Sequence, residues 1–238
     1  MNLLLLRPEE IAPDGTARLT GRRLLHAREV LRASAGDELR AGVLGGPQGS
    51  AEVLALSTTE LVLRATFSEP PPPRPGVSLL LAIPRPKALR KVLPAVASLG
   101  VDRLVLINAN RVEKSYFDSR VMASIEELLL LGLEQARDTI PPEVIVRERF
   151  RPYVEDELDS MFPDPVRLLA HPAAAAQTPP AAGRAVLAIG PEGGWVPFEI
   201  ALLEQHGFTP FTLGPRTLRV EVAVPYVLGA ISRSRINP

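Results

Sequence analysis

Hydrophobic positions along this 238-residue chain keep two different rhythms, and the change falls near residue 76. Upstream, apolar residues come in short runs that alternate with polar ones. They predict β-strands at 38–43, 51–57 and 60–67, parted by Gly45-Gly-Pro-Gln-Gly49 and by a polar turn. Residues 21–34 precede them as a short amphipathic helix, with Leu24, Val30 and Leu31 broadly on one side and Arg22, His26 and Arg28 elsewhere. Residues 1–68 are therefore expected to form a small β-barrel-like domain, of a kind that holds a macromolecule.

The segment Glu69-Pro-Pro-Pro-Pro-Arg-Pro-Gly76 enforces extended geometry and supplies few backbone donors, so residues 69–76 read as a linker. Beyond it, buried-strand patterns at 77–83, 103–107, 166–170, 185–189 and 209–212 are interspersed with helical stretches. That alternation predicts an α/β layer fold with a mostly parallel sheet over residues 77–238. A helix over 121–136 holds Leu128-Leu-Leu-Leu-Gly-Leu133, which is apolar nearly all round and must be covered by the protein's own core or by a second subunit. Helices are also expected from Pro197 towards His206 and over 220–233, with residues 173–176 as a loop.

Composition narrows the chemistry. There is no cysteine, which excludes disulfides, thiolate metal sites and a cysteine nucleophile. No run reaches the roughly twenty apolar residues of a membrane span, so a soluble, cytoplasmic protein without a membrane partner is expected. The formal net charge is zero, yet its distribution is uneven. Residues 84–120 carry eight basic and three acidic side chains, and 213–238 carry four and one, whereas 121–165 carry four and eleven. Such blocks can present one positive face to phosphates, or can simply be solvated helix faces.

The chemistry concentrates in two loops. Strand 185–189 runs into Gly190-Pro-Glu-Gly-Gly-Trp195 and a helix start at Pro197, where glycines let backbone groups approach a ligand and helix N–H groups can bind its polar atoms. Any α/β protein also needs glycine at such turns. Glu192 can hold a ligand hydroxyl, complement a cationic centre, or cap a helix. The second loop, Leu213-Gly-Pro-Arg-Thr-Leu-Arg219, follows another strand and adds Arg216 and Arg219, with Glu221 two residues on. Loops beyond adjacent strand ends converge on one pocket. Fingerprints for dinucleotide binding, P-loop phosphoryl transfer and serine hydrolysis are missing.

Gly190-Pro-Glu-Gly-Gly194 followed by Leu213-Gly-Pro-Arg-Thr-Leu-Arg-Val-Glu-Val-Ala223 resembles the signature of the bacterial small-subunit ribosomal RNA uridine-N3 methyltransferases, members of the SPOUT class. His26-Ala-Arg-Glu-Val-Leu-Arg32 with Gly36-Asp37 is similar to that family's N-terminal PUA-like β-barrel, and Leu99-Gly-Val101 and Glu134-Gln135 match further segments. Val222, Ser98 and Ala95 depart from residues typical of the family, and Pro94 interrupts the expected helix around it.

The resemblance implies a C-terminal domain with a deep trefoil knot, S-adenosylmethionine (SAM) held bent in the knotted loops, and a homodimer. Periodicity suggests no knot. By carry-over, Leu169, Ala170, His171, Ile189, Gly190, Glu192, Gly194, Leu213, Gly214 and Leu218 line the cofactor site. Methylation at N3 of a uridine in 16S ribosomal RNA requires loss of a proton. Glu221 is the candidate acceptor and Arg219 the candidate stabiliser of charge on the base, unless the two form an ion pair at the helix start. Arg22, Arg23, Arg28, Arg32, Arg85, Lys87, Arg111 and Lys114 are candidate contacts to the phosphates of ribosomal RNA or the small subunit. No metal is indicated. Transfer to a ribose hydroxyl or another base, and a non-catalytic RNA-binding protein, are the alternatives.

Overall fold

A computed structural model describes residues 2–174 and 184–236. The chain divides into two compact units, one of Met1–Pro73 with Leu130–Pro141, the other of Arg74–Leu129 with Pro142–Pro238.

In the first unit, β1 (Leu4–Leu6), β2 (Thr16–Leu19), β3 (Glu38–Val43), β4 (Gln48–Leu56) and β5 (Leu61–Glu69) make a curled sheet of order β1-β3-β4-β5-β2. Only the β1–β3 pair is parallel; β3, β4, β5 and β2 pair antiparallel. Leu4, Leu6, Leu19, Val53, Leu61 and Leu63 fill its core, with Leu24 and Ala27 of α1 (Gly21–Leu25) and the π-helical turn His26–Val30 that continues it. That turn corrects the expected helix face. The wider π turn takes an extra residue and rotates the next residues away from the side of Leu24, so Val30 is 65 % exposed and Leu31 is exposed as well. Residues 130–141 join this unit through buried Glu134, whose carboxylate accepts a bidentate pair from Arg22 at 2.7 and 2.8 Å.

The second unit is built on six parallel strands in the order β11-β9-β10-β6-β7-β8. These are β6 (Val77–Ala82), β7 (Arg103–Ile107), β8 (Glu143–Arg147), β9 (Val166–Ala170), β10 (Ala185–Ile189) and β11 (Thr209–Phe211). β6 and β10 lie side by side at the centre, with Leu187 opposite Leu79 on one side and Leu168 on the other. Both are buried along their whole length, as expected of strands covered on both faces. Val144-Ile-Val146, just after Pro141-Pro142, is an additional edge strand that carried the right β-branched signal.

Two helices differ from expectation for local reasons. The span 121–136 is broken into α3 (Arg120–Ala123) and α4 (Ile125–Ala136), because the Ser124 hydroxyl donates to the Arg120 carbonyl at 3.0 Å and competes with the helical ladder. Conversely α2 (Pro86–Ser98) runs straight through Pro94. Leu89, Val92, Leu93, Val96 and Ala97 are buried along it, and that burial offsets the backbone bond that proline cannot make. The short helices α5 (Phe150–Pro152) and α6 (Leu158–Met161), then α7 (Pro197–Gln205) and α8 (Val220–Ile236), complete the unit. No helix among the described residues is long and apolar enough to cross a membrane.

Candidate active site

At the carboxyl ends of β9, β10 and β11 the chain reverses its progress across the sheet, since β10 and β11 flank β9 on opposite sides. Strand ends that diverge in this way leave a crevice. Here it is a cavity of about 580 Å³, walled by Ala170 to Ala173, Ile189 to Trp195 and Thr212 to Val220, with Arg111 and Ala223. Nine of the ten residues expected at a cofactor site lie on this wall: Ala170, His171, Ile189, Gly190, Glu192, Gly194, Leu213, Gly214 and Leu218. Leu169 is the exception. It is fully buried inside β9, paired between Ala188 and Pro210, and so supports the floor.

The first loop is shaped by what its glycines allow. A Cβ on Gly190 would lie 3.1 Å from Cδ1 and Nε1 of the Trp195 indole, which folds back against the turn and meets the Phe150 ring at 5.6 Å. A Cβ on Gly193 would lie 2.9 Å from Cδ of Arg111, whose guanidinium donates to the Gly193 carbonyl. Arg111 is thus a wall residue, engaged with the loop. Glu192 caps a helix, though not the one that comes after it: its Oε1 accepts the Arg85 backbone N–H at 3.0 Å, at the start of α2. Pro197 opens α7 as expected, and Glu199 at its third position accepts the Val196 N–H at 2.9 Å and the Asn110 N–H at 2.7 Å.

The second loop leads into α8, whose first backbone bonds go to the Arg219 carbonyl. Arg216 and Arg219 are exposed on the cavity wall, and among the described residues neither has an acidic partner. The alternative, an Arg219–Glu221 ion pair, does not form. Glu221 turns towards α2, where its carboxylate lies 3.6 Å from Nζ of Lys91 and is 16 % exposed. Sequence reasoning missed Lys91, Trp195 and Glu199. Only Trp195, the single tryptophan and next to the glycine pair, stood where it could have been noticed.

The proposed phosphate contacts separate into two groups. Arg22 is consumed by Glu134, and Arg23 by Glu10 and the Leu5 carbonyl. Arg28 bonds Glu29 and the Thr58 carbonyl. Arg32, Arg85, Lys87 and Lys114 are exposed. Arg32 sits at a left-handed φ of 53°, where the helical turn ends.

Comparison with known proteins bears directly on this geometry. Residues 71–232, which contain the whole wall, match the model of the RNA methyltransferase domain. The chain is also 33 % identical to the ribosomal RNA small subunit methyltransferase E of Treponema pallidum, with 94 % of this chain and 87 % of that one covered. The chain belongs to the small-subunit methyltransferase E family. Among solved structures, the family's Neisseria gonorrhoeae member bound to S-adenosyl methionine is similar with a TM-score of 0.78 at 22 % identity, over 98 % of this chain and 97 % of that one. A Legionella pneumophila protein in complex with SAM is similar with a TM-score of 0.80 at 24 % identity, over 98 % and 97 %. These likenesses carry the mixed α/β fold; the family assignment rests on the domain match and the Treponema relative.

Proposed function

We propose that this chain is a SAM-dependent methyltransferase that modifies N3 of a uridine in the 16S RNA of the small ribosomal subunit. The observation that carries the reading is the convergence of both glycine loops on one cavity, in a member of this family. Its volume suits a nucleoside-sized cofactor, and its rim offers backbone groups where side chains are absent. Bound there, SAM would supply an electrophilic methyl group. The chain's own residues do the rest.

Ile189, Leu213 and Leu218 exclude water on the apolar side, while backbone at Gly190, Gly194 and Gly214 lies close to the ligand. Arg219 neutralises charge that develops on the uridine oxygens as its N3 proton leaves. Glu221, next to the wall residue Val220 in the first turn of α8, takes that proton, with Nζ of Lys91 3.6 Å from its carboxylate. Arg28 and Arg32 on the first unit, and Arg85, Lys87 and Lys114 on the second, contact RNA phosphates. Because N3 lies on the pairing edge, the uridine must be unpaired or flipped.

The same reading makes the first unit a PUA-like barrel that holds RNA, the second a SPOUT domain whose loops 190–196 and 213–219 belong to a deep trefoil knot, and the active form a cytoplasmic homodimer. An apolar stripe on α8 supports the dimer: Val222 is 48 % and Tyr226 58 % exposed one turn apart, on the helix whose Val220 and Ala223 wall the cavity.

Incubation with labelled SAM and small subunits that lack the modification, followed by nucleoside analysis, tests the reading. Labelled N3-methyluridine supports it. Label in a ribose or another base keeps the transferase and discards the assigned target.

A further inference from the structure

We propose that Glu199 is a positioning residue for the cofactor cavity, acting through Arg111; the inference rests on the reading of that cavity as a SAM site. Glu199 is 2 % exposed and does not line the wall. Its carboxylate is nonetheless fully used. Oε2 accepts the N–H of Val196, immediately after Trp195, and Oε1 accepts the N–H of Asn110, in the loop after β7. A helix cap requires the first bond alone. The second ties α7 to a loop from another part of the sheet.

The residue after Asn110 is Arg111, and its side chain closes the circuit. The Arg111 stem lies over Gly193 and its guanidinium donates to the Gly193 carbonyl, while two residues beyond Gly194 the chain is fixed at Val196 by its bond to Glu199. Both holds return to one carboxylate. The buried carboxylate needs no cation beside it because two backbone donors and the positive end of α7 satisfy it. Replacing either oxygen releases one side of the clamp, and the wall at Gly193 loses its fixed position.

The test is SAM titration calorimetry on the whole protein, comparing wild type with Glu199→Gln, Arg111→Met and the double variant. An amide keeps one accepting oxygen and turns an NH₂ towards the other backbone N–H, so one bond is lost. Each single variant should bind SAM about tenfold more weakly, and the double variant no more weakly than the poorer single, because both substitutions open the same clamp. The turnover rate of Glu199→Gln at saturating SAM should stay within about threefold of wild type, since Glu199 does not line the wall and touches no reacting atom. A lower melting temperature of Glu199→Gln with unchanged affinity makes Glu199 a helix cap alone and overturns the proposal. Should that variant not fold, Arg111→Met decides, and wild-type affinity there refutes the clamp. Failure of the wild type to bind SAM instead refutes the cavity assignment on which this stands.

Discussion

The two ends of the parallel sheet in the second unit treat charge in opposite ways. At the amino ends of the strands a cavity of about 390 Å³ is lined by Asp102, Arg103, Glu143 and Arg184. Every one of them is spoken for: Arg103 pairs with Glu143 at 2.7 Å and bonds the Met161 carbonyl, Arg74 reaches Asp102 at 3.0 Å, and Arg184 bonds the Pro163 carbonyl. At the carboxyl ends Arg216 and Arg219 stand on a glycine-rich wall, and among the described residues neither forms an ion pair, Glu192 on the same wall being bonded to the Arg85 N–H instead. A cavity by itself says little. Charge left unneutralised beside bare backbone marks the end that awaits a ligand, because stability alone gives no reason to keep it so.

The largest effect should come from that unneutralised charge. Arg219→Ala is expected to lower the rate of methyl transfer by about 10²–10³-fold, the usual cost of removing one group that stabilises developing charge, with SAM affinity nearly unchanged. Single-turnover kinetics at saturating SAM measures it. A loss below about fivefold would make Arg219 a surface charge and dissolve the contrast between the two ends. Glu221→Gln in the same assay separates its two roles: a comparable loss supports proton acceptance, whereas an intact rate with a lowered melting temperature leaves only the link to Lys91.

A substitution in the bare backbone should have a middling effect. Gly190→Ala places a methyl 3.1 Å from the Trp195 indole and 3.2 Å from the Trp195 backbone nitrogen, so the turn must open by a few tenths of an ångström. About tenfold weaker SAM binding is expected, measured by calorimetry. Unchanged affinity would show that the ligand does not depend on the shape of this turn.

The amino end sharpens the comparison by what it leaves alone. Arg103→Ala removes an ion pair, a carbonyl contact and the guanidinium 5.3 Å from the Phe162 ring, together worth about 1–2 kcal/mol, or about 2–6 °C in melting temperature. SAM affinity should stay at the wild-type value. A tenfold change in affinity would mean that the two ends are coupled through the sheet.

How much of this was legible in the sequence obeys the same division. The strands with continuous apolar runs and the two glycine loops could be placed from the chain itself, because local patterning decides them. What pairs with what could not. Arg22 sits in a helix with an exposed-looking basic face, and nothing within twenty residues hints that Glu134, 112 positions away, consumes it. The same holds for Glu221, whose partner Lys91 lies on another helix, and for Glu192, which caps α2 rather than the helix beside it. Leu169 fails for a different reason: strand alternation places Ala170 on the wall and turns its neighbour inward. Residues 175 and 176, expected in a loop with 173 and 174, lie outside the described residues.

The smallest effect is one of pH and belongs to the paired end. Asp159, in α6 near the start of β9, is exposed, and the slight desolvation it does suffer would by itself raise its pKa. Hydrogen bonds from Arg167 and from His206 outweigh that desolvation and hold the carboxyl below its ordinary value of 3.8. A carboxylate depressed on folding binds its proton more readily in the unfolded chain. Its stabilising contribution is therefore complete above about pH 4 and fades as the pH falls through the depressed native value. Melting temperatures of wild type and Asp159→Asn should differ by a constant amount from pH 7 to about 4.5 and converge below about pH 3.8. The methyl-transfer rate should not distinguish them at neutral pH, because no wall residue touches Asp159. A stability gap that persists undiminished at pH 3 would show that the carboxylate's charge contributes nothing. The contrast would then rest on the partners of Arg103, Asp102 and Arg184.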